Sequence, residues 1–241
     1  MVSRPLFRKE LDIRELPSYS IPEVAHYLRV PLTTLRSWTR GRHYPTSGGA
    51  RFFKPIIELP NPDSNLLSFV NLVEVHILDA VRRDHRIPLH KVRGAIDYLK
   101  ESFSSEHPLA DHKLETDGLD LFVEKYGHLI NISREGQLAI RKLLEAHLQR
   151  LDRDTTGIPL RLYPFTRKRL AIELREEPRA IVIDPHISFG RPVLAGTGIP
   201  TAIIAERYKA GEATEELADD YGLSTLEIEE AIRCELPSQA A

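Results

Sequence analysis

The sequence predicts a mainly α-helical chain with small β elements. Three observations point there. Apolar residues recur at three- and four-residue spacing along most of the 241 residues. The few extended apolar runs are short and bounded by Gly and Pro. Two segments, one near each end, carry the spacing of a helix-turn-helix: a small residue, a tight turn, then an apolar residue about ten positions after the first.

Taken in order, residues 1–18 form an arm with weak structure. Ser20, then Pro22 in the first helical turn and Glu23 three residues after the cap, opens a helix with a capping box. Ile21, Val24, Ala25 and Leu28 form its apolar face. A break at 29–31 precedes a second helix over 32–40, with Leu35 and Trp38 inward and Gly41 ending it. Residues 43–60 carry a turn, Pro45 to Gly49, and then RFFKPIIEL, which suits a small β-hairpin or wing. Amphipathic helices follow over 67–83 and 89–102, separated by Pro88. Polar residues 103–118 form a linker or loop. LDLFVEKYGHLINIS predicts two short strands around Gly127. A helix covers 134–152, IPLRLYPF is extended, and 167–176 is a short helix or an irregular edge. AIVID (180–184) is a strand. PVLAGTGIPTAIIAERYKAG runs from extended into helix, and two short helices lie near 214–221 and 224–233.

Charge separates the two helix-turn-helix patterns. The net charge of −2 hides a gradient. Residues 1–54 carry ten basic and four acidic side chains, a balance of +6; residues 212–235 carry one basic and nine acidic, a balance of −8. The C-terminal pattern (Ala218, Gly222, Ile228) fits the spacing better. The N-terminal one (Ala25, Leu35) has Arg29 where a positive φ favours Gly. Duplex DNA is a dense line of phosphate charge, and Lys and Arg supply most of the affinity for it. Electrostatics therefore assigns double-stranded DNA to the front and a protein contact to the acidic end. Thr33, Thr34, Arg36, Ser37 and Arg40 lie on the presumed recognition helix, where Arg36 suits guanine and the hydroxyls suit phosphates or bases. Arg42, His43, Arg51 and Lys54 on the wing suit the phosphate backbone. The competing account is a solvated charged face on an interaction domain.

Other chemistries are set aside. No stretch approaches the roughly 18–20 apolar residues that cross a bilayer, and the N-terminus lacks a signal-peptide core; a cytoplasmic protein without membrane partners is expected. One cysteine, Cys234, excludes an intramolecular disulfide and thiolate-rich zinc sites. His85 and His90, and His107 and His112 beside Asp111, lack the i, i+4 spacing of paired zinc ligands. PVLAGTGIPT has two glycines near a helix start but no P-loop or dinucleotide pattern. No metal, no cofactor and no catalytic residue is expected.

At YSIPEVAHYLRVPLTTLRSWTRG the chain resembles the winged helix-turn-helix of the MerR superfamily. The likeness runs through the wing and FVNLVEVHILDAVRRDHRIPLHKVRGAIDYL, over about residues 19–102. The long dimerising coiled coil usual in that superfamily is not visible. At VIDPHISFGRPVLAGTGIPTAIIAERYKAGEATEELADDYGLSTLEIEEAI the chain resembles the domain of unknown function 433. Gly190, Pro192, Val193, Gly196, Thr197, Ile199 and Pro200 fit its signature; Gly198 stands where Arg is usual.

The combination looks like a VapB-type antitoxin of a type II toxin–antitoxin pair. That resemblance implies a DNA-binding domain over 1–104, an α+β middle region over 105–178 for dimer or toxin contact, and an antitoxin-type helical domain over 179–241. It also implies a homodimer on operator DNA, a PIN-like ribonuclease toxin as partner, and repression of its own operon. The acidic end is one candidate toxin surface. Arg161, Tyr163, Arg167, Lys168 and Arg169 form a competing one, with Arg191 beside the signature. The helix at 134–152 is a candidate dimer interface. The alternative function is a MerR-like regulator that responds to a small ligand and has no toxin partner.

Overall fold

Ser20 caps the first helix as its sequence position requires. Its hydroxyl accepts from the Glu23 backbone N–H, and the Glu23 carboxylate accepts from the Ser20 backbone N–H at 2.8 Å. In the computed structural model, which describes residues 12–46, 48–83, 89–130, 133–167 and 177–236, strand β1 (Tyr19–Ser20) leads into α1 (Ile21–Tyr27), and α2 (Leu32–Arg40) follows. Strands β2 (Arg42–Thr46) and β3 (Gly49–Phe53) form the expected hairpin. Strand β4 (Leu66–Leu67) pairs back onto β1. Helices α3 (Phe69–Arg83), α4 (Leu89–Phe103), α5 (Leu119–Ile130) and α6 (Arg134–Leu148) come next. Then β5 (Leu151–Arg153) pairs with β6 (Pro159–Leu162), and β7 (Ile181–Val182) with β8 (Val193–Leu194). The chain ends in α7 (Thr201–Lys209), α8 (Thr214–Tyr221) and α9 (Thr225–Glu235). Among the described residues the chain is mostly helical, and each sheet is a pair of antiparallel strands.

Two apolar clusters organise the molecule. The larger runs from Tyr19 to Ile183 and centres on α3, whose Leu72, Ile77 and Leu78 are fully buried. Helix α6 packs on α3, and α5 packs on both α4 and α6. The smaller cluster joins Ile181, Leu194, Ile204, Leu217, Ile228 and Ala231. Burying the Leu and Ile side chains among these contributes about 1.5–3 kcal/mol each.

The middle region departs from three expectations. The strands expected around Gly127 are one helix, α5. Leu119, Phe122, Val123 and Tyr126 are buried at helical spacing, and Gly127 is a packing glycine: a Cβ there would meet the Gln137 side chain at 2.7 Å. The linker expected over 103–118 is part of the core. Leu109, Ala110 and Leu114 are buried, and Leu114–Gly118 forms a π-turn leading into α5. The helix expected over 134–152 stops at Leu148. Its apolar face (Ile140, Leu143, Leu144, Leu148) is consumed inside the chain, so the face offered for dimerisation is not free; only Leu138 stays half exposed. Residues 168–176, assigned a short helix or irregular edge, lie outside the described residues.

Buried Arg150 holds the connection that leaves β6. Its guanidinium donates to the carbonyls of Tyr163 (2.8 Å), Pro164 (3.3 Å), Glu177 (2.7 Å) and Pro178 (3.1 Å) and lies 4.9 Å from the Phe165 ring centre. Burial pushes its pKa down to about 10. From there the chain bridges to the C-terminal unit through paired Leu162 and Ile183 backbones at 3.0 and 2.8 Å.

Candidate nucleic-acid interface

Helices α1 and α2 form the N-terminal helix-turn-helix. Ala25, buried at the contact, lets the helices approach, and Leu35 and Trp38 fill the space between them. The turn closes on a Val30 N–H to Ala25 carbonyl bond of 3.1 Å. Arg29 has φ 54°, the left-handed conformation expected at that position.

The fully buried Leu35 and Trp38 fix which face of α2 looks outward. Thr33, Arg36 and Arg40 are exposed on that face, at three- and four-residue spacing. Thr34 is half-buried. Ser37 is also half-buried, and its Oγ is covered without a hydrogen-bond partner among the described residues. The spacing therefore brings Arg36, Arg40 and Thr33 together, with Ser37 turned aside.

The hairpin is fastened to the end of this helix. Gly41 takes φ 73° and ψ −176°. A Cβ there would lie 2.2 Å from the Phe53 carbonyl oxygen, so only glycine allows the close approach. The Trp38 carbonyl then accepts from the N–H groups of Ile56 (2.8 Å) and Ile57 (3.0 Å). Arg93 of α4 stacks 4.7 Å above Phe53 and donates to the Pro55 carbonyl at 2.8 Å. These contacts tie the wing to both neighbouring helices.

Arg42, His43, Arg51 and Lys54 are all exposed on this hairpin and its exit. The register sets Arg42 opposite Phe53, His43 opposite Phe52 and Tyr44 opposite Arg51. Among the described residues no carboxylate pairs with Arg36, Arg40, Arg42, Arg51 or Lys54. Sequence reasoning missed two exposed aromatic side chains among these cations. Phe52 is 50% exposed, with its ring centre 4.9 Å from that of His43, and Tyr44 is exposed on the opposite face with Arg51. The period-2 alternation of the hairpin was the signal available for both.

The C-terminal helix-turn-helix has the expected geometry. Gly222 is left-handed at φ 64°, Ala218 and Ile228 are buried, and Ser224 with Glu227 forms a capping box on α9. Its electrostatics are opposite to the front. The outward side of α9 shows Leu226 and Glu229. Glu212 is held below the usual carboxylate range by its hydrogen bond to Arg207. The inward side of α9 is occupied by the rest of the chain. Fully buried Glu230 accepts from Thr166, from Arg167 Nε (2.6 Å) and from Arg233 (2.6 Å). Arg29 donates to the Arg233 carbonyl, and His26 lies 3.5 Å from the Glu235 carboxylate.

The other candidate surface is mostly spoken for inside the chain. Arg161 pairs with Asp184 at 3.0 Å, and Tyr163 donates to Asp152 at 2.8 Å beneath the Arg179 guanidinium. Arg167 serves Glu230. Lys168 and Arg169 lie outside the described residues. Arg191 is exposed, next but one to Phe189, which sequence reasoning did not single out and which is 96% exposed. Among the described residues no helix is long and apolar enough to cross a membrane, and no group of three or more His, Cys, Asp or Glu could hold a metal ion.

Comparison with known proteins finds matches at both ends of the chain. A family model described as "Putative DNA-binding HTH domain" matches residues 17–96, and one described as "Protein of unknown function (DUF433)" matches residues 181–233. A Mycobacterium tuberculosis protein named "Putative antitoxin VapB45" is 30% identical over 93% of this chain and 96% of its own length. A second protein of that organism, "Uncharacterized protein Rv2308", is 27% identical over 89% of this chain and 88% of its own length. The crystal structure of Rv2018 from the same organism matches with a TM-score of 0.64 at 23% identity, over 90% of this chain and 98% of that one.

Proposed function

We propose, for a chain that belongs to the family of the relative named "Putative antitoxin VapB45", an antitoxin that represses its own operon and neutralises a PIN-like ribonuclease toxin in a type II pair. On this reading residues 1–104 are a MerR-like winged helix-turn-helix that grips operator DNA. Residues 105–178 carry it and contribute to dimer or toxin contact, and residues 179–241 hold the protein partner.

The observation that carries the DNA half is the cation surface of α2 and the hairpin. Its five Lys and Arg side chains face solvent with no acidic partner among the described residues. A surface salt bridge would lower such a cation's availability to phosphate; none does so here. Arg36 sits centrally, with the length and planar fork to read guanine, while the wing residues lie where backbone contacts position the protein. The exposed carboxylates of α8, Glu215, Glu216, Asp219 and Asp220, support the protein-binding assignment for the other end, because like charge would repel a duplex.

The test is duplex binding by the full chain on the DNA upstream of its own gene. Arg36→Ala is expected to weaken binding by about 1–3 kcal/mol, or roughly 5- to 150-fold, and to relax preference among sequences. Unchanged binding would remove Arg36 from the recognition surface. The partner half is tested by co-expression with a neighbouring PIN-like reading frame. A complex that survives purification is expected, and it should dissociate when residues 179–241 are deleted but the remainder still melts cooperatively.

A further inference from the structure

A cavity of about 300 Å³ opens between the short turn Ile13–Glu15, helix α3, the connection from α4 to α5 and the β5–β6 turn. Its size is at the lower end of small-molecule sites. It lies within the described residues of the larger core, away from α2 and the hairpin.

One wall is apolar, made by Val70, Ala110, Ile158 and Pro159. The polar groups on the other side include the donors His107 and Lys113. His107 Nδ1 lies 3.1 Å from Glu74 Oε2, and Asn71 Nδ2 donates to that same oxygen at 3.1 Å. Glu74 is buried at 5% exposure, and a buried carboxylate keeps its charge only beside such partners. It therefore favours the imidazolium form of His107. His107 lines the cavity, and with Nδ1 engaged by Glu74 its remaining ring N–H is at Nε2. Lys113 Nζ donates to the Phe103 carbonyl at 3.0 Å and keeps two further N–H groups. Behind the wall, Arg153 donates to the carbonyls of Ala110 (2.6 Å) and Gly157 (3.0 Å), yet its second terminal nitrogen is buried without a partner among the described residues.

Two carboxylates also line the cavity. Asp111 already accepts from the Lys113 backbone N–H at 2.9 Å and has His112 at 3.4 Å. Glu15 stands exposed at the rim. Two cationic donors, His107 and Lys113, beside an apolar wall suit an acceptor-rich head on an apolar body, with Glu15 and Asp111 opposing it.

We propose that this cavity binds a small carboxylate with an apolar body, its head on His107 Nε2 and Lys113 Nζ and its body against Val70, Ile158 and Pro159. This site rests on neither the operator nor the toxin reading, and its failure would leave both untouched.

The test is titration calorimetry on the full chain at neutral pH, with phenylacetate and its neutral analogue phenylacetamide as probes. Phenylacetate is expected to bind about tenfold or more tightly than the amide, since a charged hydrogen bond is what separates them. His107→Gln is expected to erase that preference, and Glu15→Gln to tighten phenylacetate two- to fivefold. Because His107→Gln leaves Glu74 buried beside a weaker partner and could unfold the chain, Ile158→Trp serves as the second variant. It fills the cavity from a partly exposed position and should abolish binding while the melting curve stays cooperative. Absence of phenylacetate binding, equal affinity for the amide, or unchanged affinity in Ile158→Trp would each overturn the proposal.

Discussion

Removing Arg42 and Arg51 together separates a phosphate clamp from a merely solvated charged face. Both side chains are exposed on the hairpin, two rungs apart on its ladder and on opposite strands, which places them on the same face. Neither is paired with a carboxylate among the described residues, so their loss breaks no internal ion pair. A cation that meets one phosphate releases about 0.9 of a counterion per contact on duplex DNA. Two contacts should make the dependence of log Kobs on log salt shallower by about 1.8. Between about 50 and about 200 mM salt, wild-type protein should therefore lose about twelvefold more affinity than Arg42→Ala/Arg51→Ala. Fluorescence anisotropy on a labelled duplex, read across a KCl series, measures both slopes. Arg134→Ala, which removes an exposed arginine from the start of α6, is the control and should leave the slope alone. Parallel slopes for wild type and double variant, with both proteins folded, would refute the assignment of the wing to the DNA backbone.

Three other expectations follow from single sites. Gly41→Ala places a Cβ 2.2 Å from the Phe53 carbonyl at a backbone conformation close to glycine-only, so it should cost about 1–3 kcal/mol in denaturant titration and weaken duplex binding through a displaced hairpin. Glu230→Ala leaves Arg167 and Arg233 without their buried carboxylate; a loss of about 3–5 kcal/mol is expected, and a melting point lower by about 6–20 °C. Burial lowers the His107 pKa, but the hydrogen bond and charge of Glu74 outweigh it and hold the imidazole above its ordinary value. A raised folded pKa stabilises fully below the unfolded value of about 6.5 and is lost as pH rises through the folded value. The stability difference between wild type and His107→Gln should accordingly shrink as pH rises above about 6.5 in thermal melts, and a difference that grows with pH would contradict the Glu74 pairing.

The sequence carried the two ends better than the middle, and the reason is local chemistry. Capping boxes at Ser20 and Ser224, glycines after α2 and α8, and alternation along the hairpin are signals contained within a few residues. The middle is decided by contacts far apart in the chain. Gly127 looked like a strand break, but it is small because Gln137 of the next helix lies over it. Gly118 resembled a loop former, yet a Cβ there would meet the Phe103 ring at 2.1 Å. Polar residues 103–118 hide Leu109 and Leu114, whose burial depends on helices arriving from elsewhere. The same limit applied to the candidate protein-binding arginines. Nothing beside Arg167 in the sequence announces Glu230, 63 positions on, yet that carboxylate claims its guanidinium. The outward face of α2 was legible because Leu35 and Trp38, both apolar and three apart, fix the inward one.

The two helix-turn-helix turns show why the front unit is not independent of the back. In the C-terminal copy the left-handed position is Gly222, which adopts φ 64° freely. In the N-terminal copy the same conformation falls on Arg29, at φ 54°, where a side chain costs roughly 1–2 kcal/mol. A glycine would remove that cost but would also remove the guanidinium. That group is half-buried and donates to the carbonyl of Arg233 in the last turn of α9, where helix carbonyls lack partners within the helix. Burial depresses its pKa, so the contact is made at the expense of hydration. Beside it, His26 on α1 faces Glu235 on α9. The residue that makes the turn of the basic motif unfavourable is thus the one that fastens that motif to the acidic unit. Strain at the turn and the bond to α9 are properties of one side chain, so substituting Arg29 alters both at once.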